Sequence, residues 1–224
     1  MKYRLGLLAF LSFVVQTNIS EAKEIPVQAR FFFGNSTIDP EQLNTAVEAQ
    51  GIKKFESAMQ FGVEVTYPVL KYLDFGVRYT KHSQTNTEDT DNIITEYSTK
   101  IDQDGVLLVG RVPILREGIF RVDAFAGFGG TNTTVTVKSA TQDGEYTRKE
   151  AEGWFSTPYA AYGVSAGIGY KQLYLMFEGG MEINKVSGFT RAGSVSANMD
   201  EVDLSGSYFT IGIMLDGIPG TIGK

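Results

Sequence analysis

The chain has 224 residues and no cysteine, which excludes disulfides, thiolate metal sites, cysteine nucleophiles and a lipid-bearing N-terminal cysteine. Its formal net charge of −6 at pH 7 excludes a basic surface for nucleic acid. The length fits one β-domain. The 25 glycines, 15 phenylalanines and 11 tyrosines suit curved strands with aromatic belts, although a Gly-rich soluble β-sandwich fits this composition too.

The N-terminus has the pattern of a secretory signal peptide. Two basic residues precede an apolar run at residues 5–15, and Ser20 and Ala22 are small residues at the positions that a signal peptidase reads. The run is about half the roughly 20 residues that a membrane-spanning helix needs. We therefore predict a signal peptide at residues 1–22 and a mature β-domain at residues 23–224. Since the later sequence has no long apolar run, this domain can cross a membrane only as a closed barrel, if it enters one.

Apolar and polar residues alternate with a period of two in eight segments, which predicts eight strands with one apolar and one polar face. In the clearest segment, Phe61, Val63 and Val65 are separated by a glycine and a glutamate. The fourth segment is apolar on both faces, so its register stays open. The eight segments are 27–34, 59–67, 73–79, 106–112, 120–128, 162–170, 175–183 and 209–216.

The connections between these strands alternate between short and long. Short periplasmic turns and long outer loops are typical of bacterial outer-membrane barrels, so the pattern predicts an eight-stranded up-and-down barrel. The short links are 68–71, 113–118 and 171–173, and the long ones are 35–57, 81–94, 130–158 and 184–202.

Two of the long loops contain structure of their own. Residues 39–41 (Asp-Pro-Glu) are a helix start, and Leu43, Val47 and a stop at Gly51 predict a short amphipathic helix that caps the outer rim.

In the third long loop, segments 133–138 and 145–148 flank Asp143-Gly144, which predicts a hairpin turn and a β-flap outside the membrane. Segment 94–101 prolongs the fourth strand in the same way. The exposed edges either accept a strand from a partner or are simply solvated.

Charged side chains fall on the face opposite the aliphatic and aromatic residues, and that face is also rich in glycine. Because space is scarce inside a narrow barrel, we predict that this face lines the lumen and that its charges form an ion-pair network. Such a network blocks the lumen, and a gated narrow channel is the alternative. The predicted lumen residues are Arg30, Glu64, Asp74, Arg78, Arg121, Asp123, Glu178 and Glu182.

Aromatic residues cluster at two levels along the strands, which predicts girdles at the two lipid interfaces. The girdle beside the short turns comprises Tyr67, Tyr72, Phe120, Tyr170 and Tyr174, and the outer one comprises Tyr79, Phe128, Trp154, Phe155 and Tyr159.

From Pro26 to Leu215 this pattern of faces, turns and loops resembles the small eight-stranded outer-membrane barrels of the OmpA and OmpX type. The resemblance implies an all-β transmembrane barrel in the bacterial outer membrane, a monomer whose partners are membrane lipid and lipopolysaccharide. Such barrels usually end in an aromatic assembly signal, whereas this chain continues past Leu215 to Lys224. Either the signal lies within residues 208–212, or insertion depends less on the terminus.

No catalytic, cofactor or metal site is predicted. His82 is the only histidine, and Ser83 beside it points to the opposite strand face, so the two are poorly placed as base and nucleophile. We interpret His82 as a solvated residue of the outer rim. The acidic segments 88–91 and 102–105 lack the spacing of a calcium loop.

These observations predict a structural or surface-interaction role, with loops outside the cell that bind an extracellular or surface partner. A narrow passive channel or a small-ligand-binding barrel is the alternative. A soluble periplasmic carrier barrel ranks lower, and an enzyme ranks last.

Overall fold

The computed structural model describes residues 26–48, 53–87, 98–138, 143–148, 157–193 and 201–219, which form eleven strands and one helix. The predicted signal peptide lies outside these ranges. The strands are β1 Pro26–Thr37, β2 Ser57–Leu70, β3 Leu73–Thr87, β4 Ser98–Glu117, β5 Phe120–Lys138, β6 Asp143–Arg148, β7 Pro158–Tyr170, β8 Leu173–Ser187, β9 Thr190–Gly193, β10 Glu201–Asp203 and β11 Gly206–Pro219, and the helix α1 is Glu41–Glu48.

Eight strands close into a ring of antiparallel neighbours, in the order β1, β2, β3, β4, β5, β7, β8 and β11, with β11 paired back to β1. The predicted eight-stranded up-and-down barrel is therefore confirmed. Closure gives every strand of the wall two neighbours, as a sheet surrounded by lipid requires. Above the ring, β6 pairs with β5 and β9, and β10 pairs with β8.

The short connections are tighter than the sequence suggested. β2 and β4 run through most of the predicted links at 68–71 and 113–118. The register shifts just after Pro68 and just after Pro113, because a residue without an N–H group is tolerated at a bulge in a strand. Two-residue turns lie at 71–72, 118–119 and 171–172.

The chain also stays in the barrel wall beyond its predicted end. β11 continues to Pro219, which pairs with Pro26 at the start of β1. Part of the segment that follows Leu215 is therefore strand, and residues 220–224 lie outside the described ranges.

The predicted helix of the first long loop is present. In its first turn the Asn44 N–H donates to the carbonyl oxygen of Pro40. Leu43 and Val47 are buried, as the amphipathic pattern predicted. The predicted stop, Gly51, lies outside the described residues.

The outer hairpin is also present, but the prediction of its turn was wrong. Asp143 and Gly144 lie within β6, where they pair with Lys138 and Val137 of β5. Their backbones belong to the strand ladder, so they are not the turn. β4 begins at Ser98, and the rest of its predicted extension lies outside the described ranges.

The wall has an apolar outside and a charged inside. Phe177 is 39% exposed on the outer surface, whereas its neighbour Glu178 is only 6% exposed, and Arg78 on β3 is 1% exposed. Large apolar side chains are exposed on every strand of the ring. The described part of the chain has no helix long and apolar enough to cross a membrane.

The apolar outer surface generates a test with a charged substitution. We expect Phe177→Arg to lower the free energy of unfolding by about 2–4 kcal/mol, because it puts a charge near the middle of the bilayer. The measurement is urea unfolding from phospholipid vesicles. Ser57→Arg, at an exposed position where β2 starts, is the control and should cost less than about 1 kcal/mol. Equal losses for the two variants would contradict the membrane-facing assignment.

Candidate functional site

The lumen is the candidate site, and the alternation of each strand decides what points into it. All eight predicted lumen residues are buried inside the ring. They come from five different strands, so the site forms only when the ring closes. Three further charged residues join them: Arg111 on β4, Arg116 at the end of β4 and Asp216 on β11.

Two arginines and two glutamates form a closed four-membered ring at the centre of the lumen. Arg78 contacts Glu64 through Nε at 2.7 Å and Glu178 through Nη1 at 2.8 Å. Arg111 contacts the same two carboxylates, with Nη2 at 2.9 Å from Glu64 and 2.7 Å from Glu178. Each buried charge therefore has two partners of opposite sign, which buried charges need in order to be tolerated.

Aromatic rings hold these two guanidinium groups in place. Arg78 lies between Phe32 and Phe125, with its Cζ atom 4.7 Å from the centre of each ring. Arg111 lies 4.6 Å from the Phe125 ring. In a desolvated lumen such cation–π contacts contribute about 2 kcal/mol each.

The periplasmic half of the lumen is closed by a second group of ion pairs. Asp123 accepts from Arg30 and from Arg121, each at 2.8 Å. Arg121 also contacts Asp216 at 2.7 Å. Arg116 lies near the end of β4, just before the turn at 118–119, and contacts both Asp74 and Asp123.

Above the central ring the lumen is polar but less charged. Glu182 accepts hydrogen bonds from the hydroxyl of Tyr159 at 2.6 Å and from the amide of Gln60 at 2.8 Å. Its second carboxylate oxygen lies 3.0 Å from Nε2 of His82. Asn184 donates to Gln103 at the same end of the lumen. We call this group the upper polar layer.

Two predictions were wrong in this layer. Tyr159 is fully buried inside the barrel and is not part of the outer girdle. His82 is 4% exposed and points inward, so it is not a solvated rim residue. In both cases the strand continues above the bilayer with its alternation intact, so the inward-facing positions stay enclosed.

An apolar cap covers the upper polar layer at the outer end. It joins α1 and the start of β2 to the outer parts of β4 and β5 and to residues around β10. Asn44 secures the loop, since its side chain donates to the Phe55 carbonyl at 3.0 Å and accepts from the Phe55 N–H at 2.7 Å. The buried residues of the cap are Ile38, Leu43, Val47, Phe55, Ala58, Ile101, Val135, Val137, Val202 and Leu204.

Of the predicted inner girdle beside the short turns, Tyr67, Tyr72, Phe120 and Tyr170 are exposed on the apolar outer surface. Tyr174 differs, because it shares the inward register of Glu178 and is half-buried beside Gly169.

Of the predicted outer girdle, Tyr79 and Phe128 lie on the outer surface, and Trp154 and Phe155 lie outside the described residues. Four aromatic residues that were not predicted for this girdle are also exposed on the outer surface, toward the outer ends of their strands. These are Phe33, Phe61, Tyr162 and Phe209.

The separation of the two girdles fits a membrane. Phe120 and Phe128 on β5 are eight residues apart, as are Tyr162 and Tyr170 on β7. At about 3.3 Å per residue and a tilt of about 40°, this places the girdles about 20 Å apart, close to the apolar height of an outer-membrane barrel.

The two aspartates of the acidic segment 102–105 lie on the outer face of β4. Asp102 and Asp104 point outward and bond to Ser83 and Tyr79, while Gln103 between them points into the lumen. The described residues contain no cluster of three histidine or acidic side chains placed to hold a metal ion. The segment 88–91 lies outside the described ranges.

Comparisons with known proteins found no matching family model and no matching curated protein. Solved structures do match. Ail from Yersinia pestis has 10% identity and a TM-score of 0.47, covering 87% of this chain and 99% of its own.

OprG from Pseudomonas aeruginosa has 13% identity and a TM-score of 0.44, covering 89% and 99% of the two chains. The protease OmpT from Escherichia coli has 11% identity and a TM-score of 0.41, covering 90% and 100%. At these identities and TM-scores, the three structures give no information on the activity of this chain.

The barrel itself establishes where the protein resides. A closed ring of eight strands, an apolar outer surface between aromatic girdles and an enclosed ionic lumen together define an outer-membrane β-barrel. The protein is therefore located in the bacterial outer membrane.

Removing one member of the central ring should leave a buried carboxylate undercompensated. We expect Arg111→Met to lower the free energy of unfolding by about 3–5 kcal/mol, measured by urea unfolding from vesicles. The double variant Arg111→Met/Glu178→Gln should recover part of that loss, because it removes one charge of each sign. Lys81→Met, which breaks a surface pair with Asp104, should cost at most about 1 kcal/mol. A loss for Arg111→Met no larger than this control would refute the ring's role.

The aromatic contacts to the arginines can be tested with a substitution that keeps an apolar side chain. Phe125→Leu removes the ring that faces Arg78 and Arg111, and we expect it to destabilise the barrel by about 2–4 kcal/mol more than Phe209→Leu on the outer surface. Equilibrium unfolding of both variants in the same vesicles gives the comparison. Equal losses would mean that Phe125 only fills space.

Proposed function

We propose that this protein is a closed structural barrel that anchors a surface-interaction platform of loops outside the cell. The observation that carries the proposal is that the lumen is filled along its described length. From the periplasmic end it holds the paired aspartates and arginines, the central four-membered ring, the upper polar layer and the apolar cap.

The filled lumen supports a structural role because each layer is costly to open. Separating the central ring exposes buried charges, and lifting the cap exposes buried apolar side chains to water. An eight-stranded barrel is only wide enough for its own side chains. A narrow passive channel would need both barriers to rearrange, so it is the second candidate.

The charged lumen also argues against a carrier of apolar ligands. A carrier barrel needs an open apolar cavity, whereas here ion-paired arginines and carboxylates occupy the interior, and the buried apolar side chains pack against them or close the outer end. We likewise infer a non-enzymatic role, because His82 points inward and Ser83 beside it hydrogen-bonds to Asp102 on the outer surface.

The outer end of the barrel is well suited to present a surface. The exposed side of α1 carries Glu41, Gln42, Thr45 and Glu48, while its buried side is held in the cap. A rigid base and a polar outer face together support interaction with an extracellular or surface partner through the loops. Lipid and lipopolysaccharide surround the wall in this proposal, and one chain forms a complete barrel.

Planar-bilayer recording tests the closed lumen. We expect the refolded wild-type protein to show no steady conductance steps, and Arg78→Ala to remain closed because the cap still covers the lumen. Arg78→Ala combined with Val47→Asp should conduct more often than either single variant, since it weakens the central ring and the cap together. Conductance by the wild-type protein would favour the channel instead.

Trypsin treatment of intact cells tests which end of the barrel faces outside. Lys53 and Lys54 are exposed between α1 and β2, and we expect cleavage there. Lys71 and Lys171 are exposed in the short turns and should be cut only after the outer membrane is permeabilised. Cleavage at Lys71 or Lys171 in intact cells, with Lys53 and Lys54 protected, would show that the short turns face outside and would contradict the proposed orientation.

A further inference from the structure

Two lysines of the short turns, Lys71 and Lys171, each lie over a tyrosine of the inner girdle. The Nζ atom of Lys71 is 5.1 Å from the centre of the Tyr72 ring, and that of Lys171 is 5.3 Å from the centre of the Tyr170 ring. All four side chains are exposed. The first turn joins β2 to β3 and the second joins β7 to β8, so the same arrangement occurs at two separate places. We call these two lysine–tyrosine pairs the rim pairs.

The ammonium groups of the rim pairs have no partner of opposite charge within the described chain. Glu117, near the remaining short turn, is exposed and pairs with neither lysine, and Asp216 on β11 pairs with Arg121 instead. Lysines toward the outer end of the barrel do pair with carboxylates. These pairs are Lys54–Glu56, Lys81–Asp104, Lys100–Asp102 and Lys185–Glu201. The charges of the rim pairs are therefore available to a ligand.

The backbone at Lys171 is a second, independent observation. Lys171 has a φ of 56° and is the one residue other than glycine with a positive φ in the described ranges. Glycine is preferred at the first position of a two-residue hairpin turn with this φ. Non-glycine residues in the left-handed region concentrate at binding sites, where the side chain has a role of its own. The strained backbone therefore points to a role for the lysine side chain outside the turn.

Hydrogen bonds to β11 hold this turn in place. The Asp216 N–H donates to the carbonyl oxygen of Gln172 at 2.8 Å, and the side-chain amide of Gln172 donates to the carbonyl oxygen of Gly217 at 3.1 Å. Because the turn is fixed at Gln172, Lys171 beside it is presented from a rigid base. A rigid base lowers the entropy cost of binding a ligand there.

The chemistry of a rim pair suits a phosphate group at a lipid interface. Girdle tyrosines lie at the level of the lipid head groups, which places the ammonium groups at that level as well. An ammonium group and a phenol hydroxyl both donate hydrogen bonds, and phosphate oxygens accept them. A zwitterionic phospholipid carries its own ammonium group beside the phosphate, whereas an anionic phospholipid has a net negative charge. The rim pairs should therefore favour the anionic lipid.

We propose that each rim pair binds the head group of one anionic phospholipid in the periplasmic leaflet of the outer membrane. A lysine close to an anionic lipid surface gains about fivefold in affinity. Two sites at separate turns fix the depth of the barrel in the membrane at two points. The inference rests on the orientation in the proposed function, in which the short turns face the periplasm.

Native mass spectrometry of the mature protein in a non-ionic detergent tests the two sites. Phosphatidylglycerol or phosphatidylcholine is added, and the lipids retained by each protein molecule are counted. We expect wild type to retain two phosphatidylglycerol molecules, and Lys71→Gln and Lys171→Gln to retain one each. The variant Lys53→Gln/Lys54→Gln, changed at the outer end, is the control and should retain two. Equal retention of the two lipids by wild type would overturn the proposal, as would unchanged retention in Lys71→Gln/Lys171→Gln.

A glycine substitution separates lipid binding from stability. Lys171→Gly relieves the left-handed backbone, so its urea midpoint in phosphatidylcholine vesicles should equal or exceed that of wild type. The same variant should retain one phosphatidylglycerol molecule instead of two. Retention of two would show that the lysine side chain is not the ligand at this turn and would refute that site.

Failure of this inference and failure of the proposed orientation give different results. Lipid retention in detergent does not depend on which end of the barrel faces outside, whereas trypsin cleavage of intact cells does. Cleavage at Lys71 or Lys171 in intact cells would refute binding in the periplasmic leaflet, even with both lipids retained. Protected turns with no phosphatidylglycerol retained would refute the sites and leave the orientation intact.

Discussion

Compensation of buried charge in a narrow tube is the constraint on which the rest of this structure depends. The lumen has no room for bulk water, so Glu64 is satisfied only by arginines that arrive from other strands: Arg30, Arg78 and Arg111. These contacts cross the barrel and join residues that are distant in the chain. Arg78 and Glu178, for example, are 100 residues apart. The ion pairs therefore depend on correct closure of the whole ring, and they stabilise it in return.

The same constraint explains the small residues on the inner face. A guanidinium group that lies between two aromatic rings needs volume, and a neighbouring strand has to provide it. A Cβ atom at Gly62 would lie 2.5 Å from the ring of Phe32, and one at Gly105 would lie 2.8 Å from the ring of Tyr159. Glycine at these positions makes the inward-pointing rings possible, and the rings in turn hold the arginines.

The filling of the barrel changes from one end to the other, and this gradient connects the structure to the proposed role. Ion pairs occupy the membrane-embedded part, neutral polar groups follow, and apolar side chains close the outer end under α1. Because the outer end is packed like a small protein core, the loops stand on a rigid base. His82 lies where the charged and apolar regions meet.

The sequence by itself determined the strands and their faces, because a period of two is visible wherever one face is apolar and the other is polar. Eight lumen charges and the alternation of short and long connections followed from that pattern, and the helix at the rim followed from its own start signal and apolar spacing. On β4 the sequence shows no period of two, because Leu107 and Val109 are buried in the lumen while Leu108 faces outward, and all three are apolar. The inward direction of Arg111 was therefore not predicted.

The tertiary structure alone decided which residues meet inside the barrel and where the inside ends. The positions of Tyr159 and His82 were misjudged because their strands rise above the bilayer as an enclosed wall, which no local pattern reveals. Pairing between strands far apart in the chain also decided that Glu182 has no arginine beside it. Ring closure sets those distances, and alternation along a single strand carries no information about them.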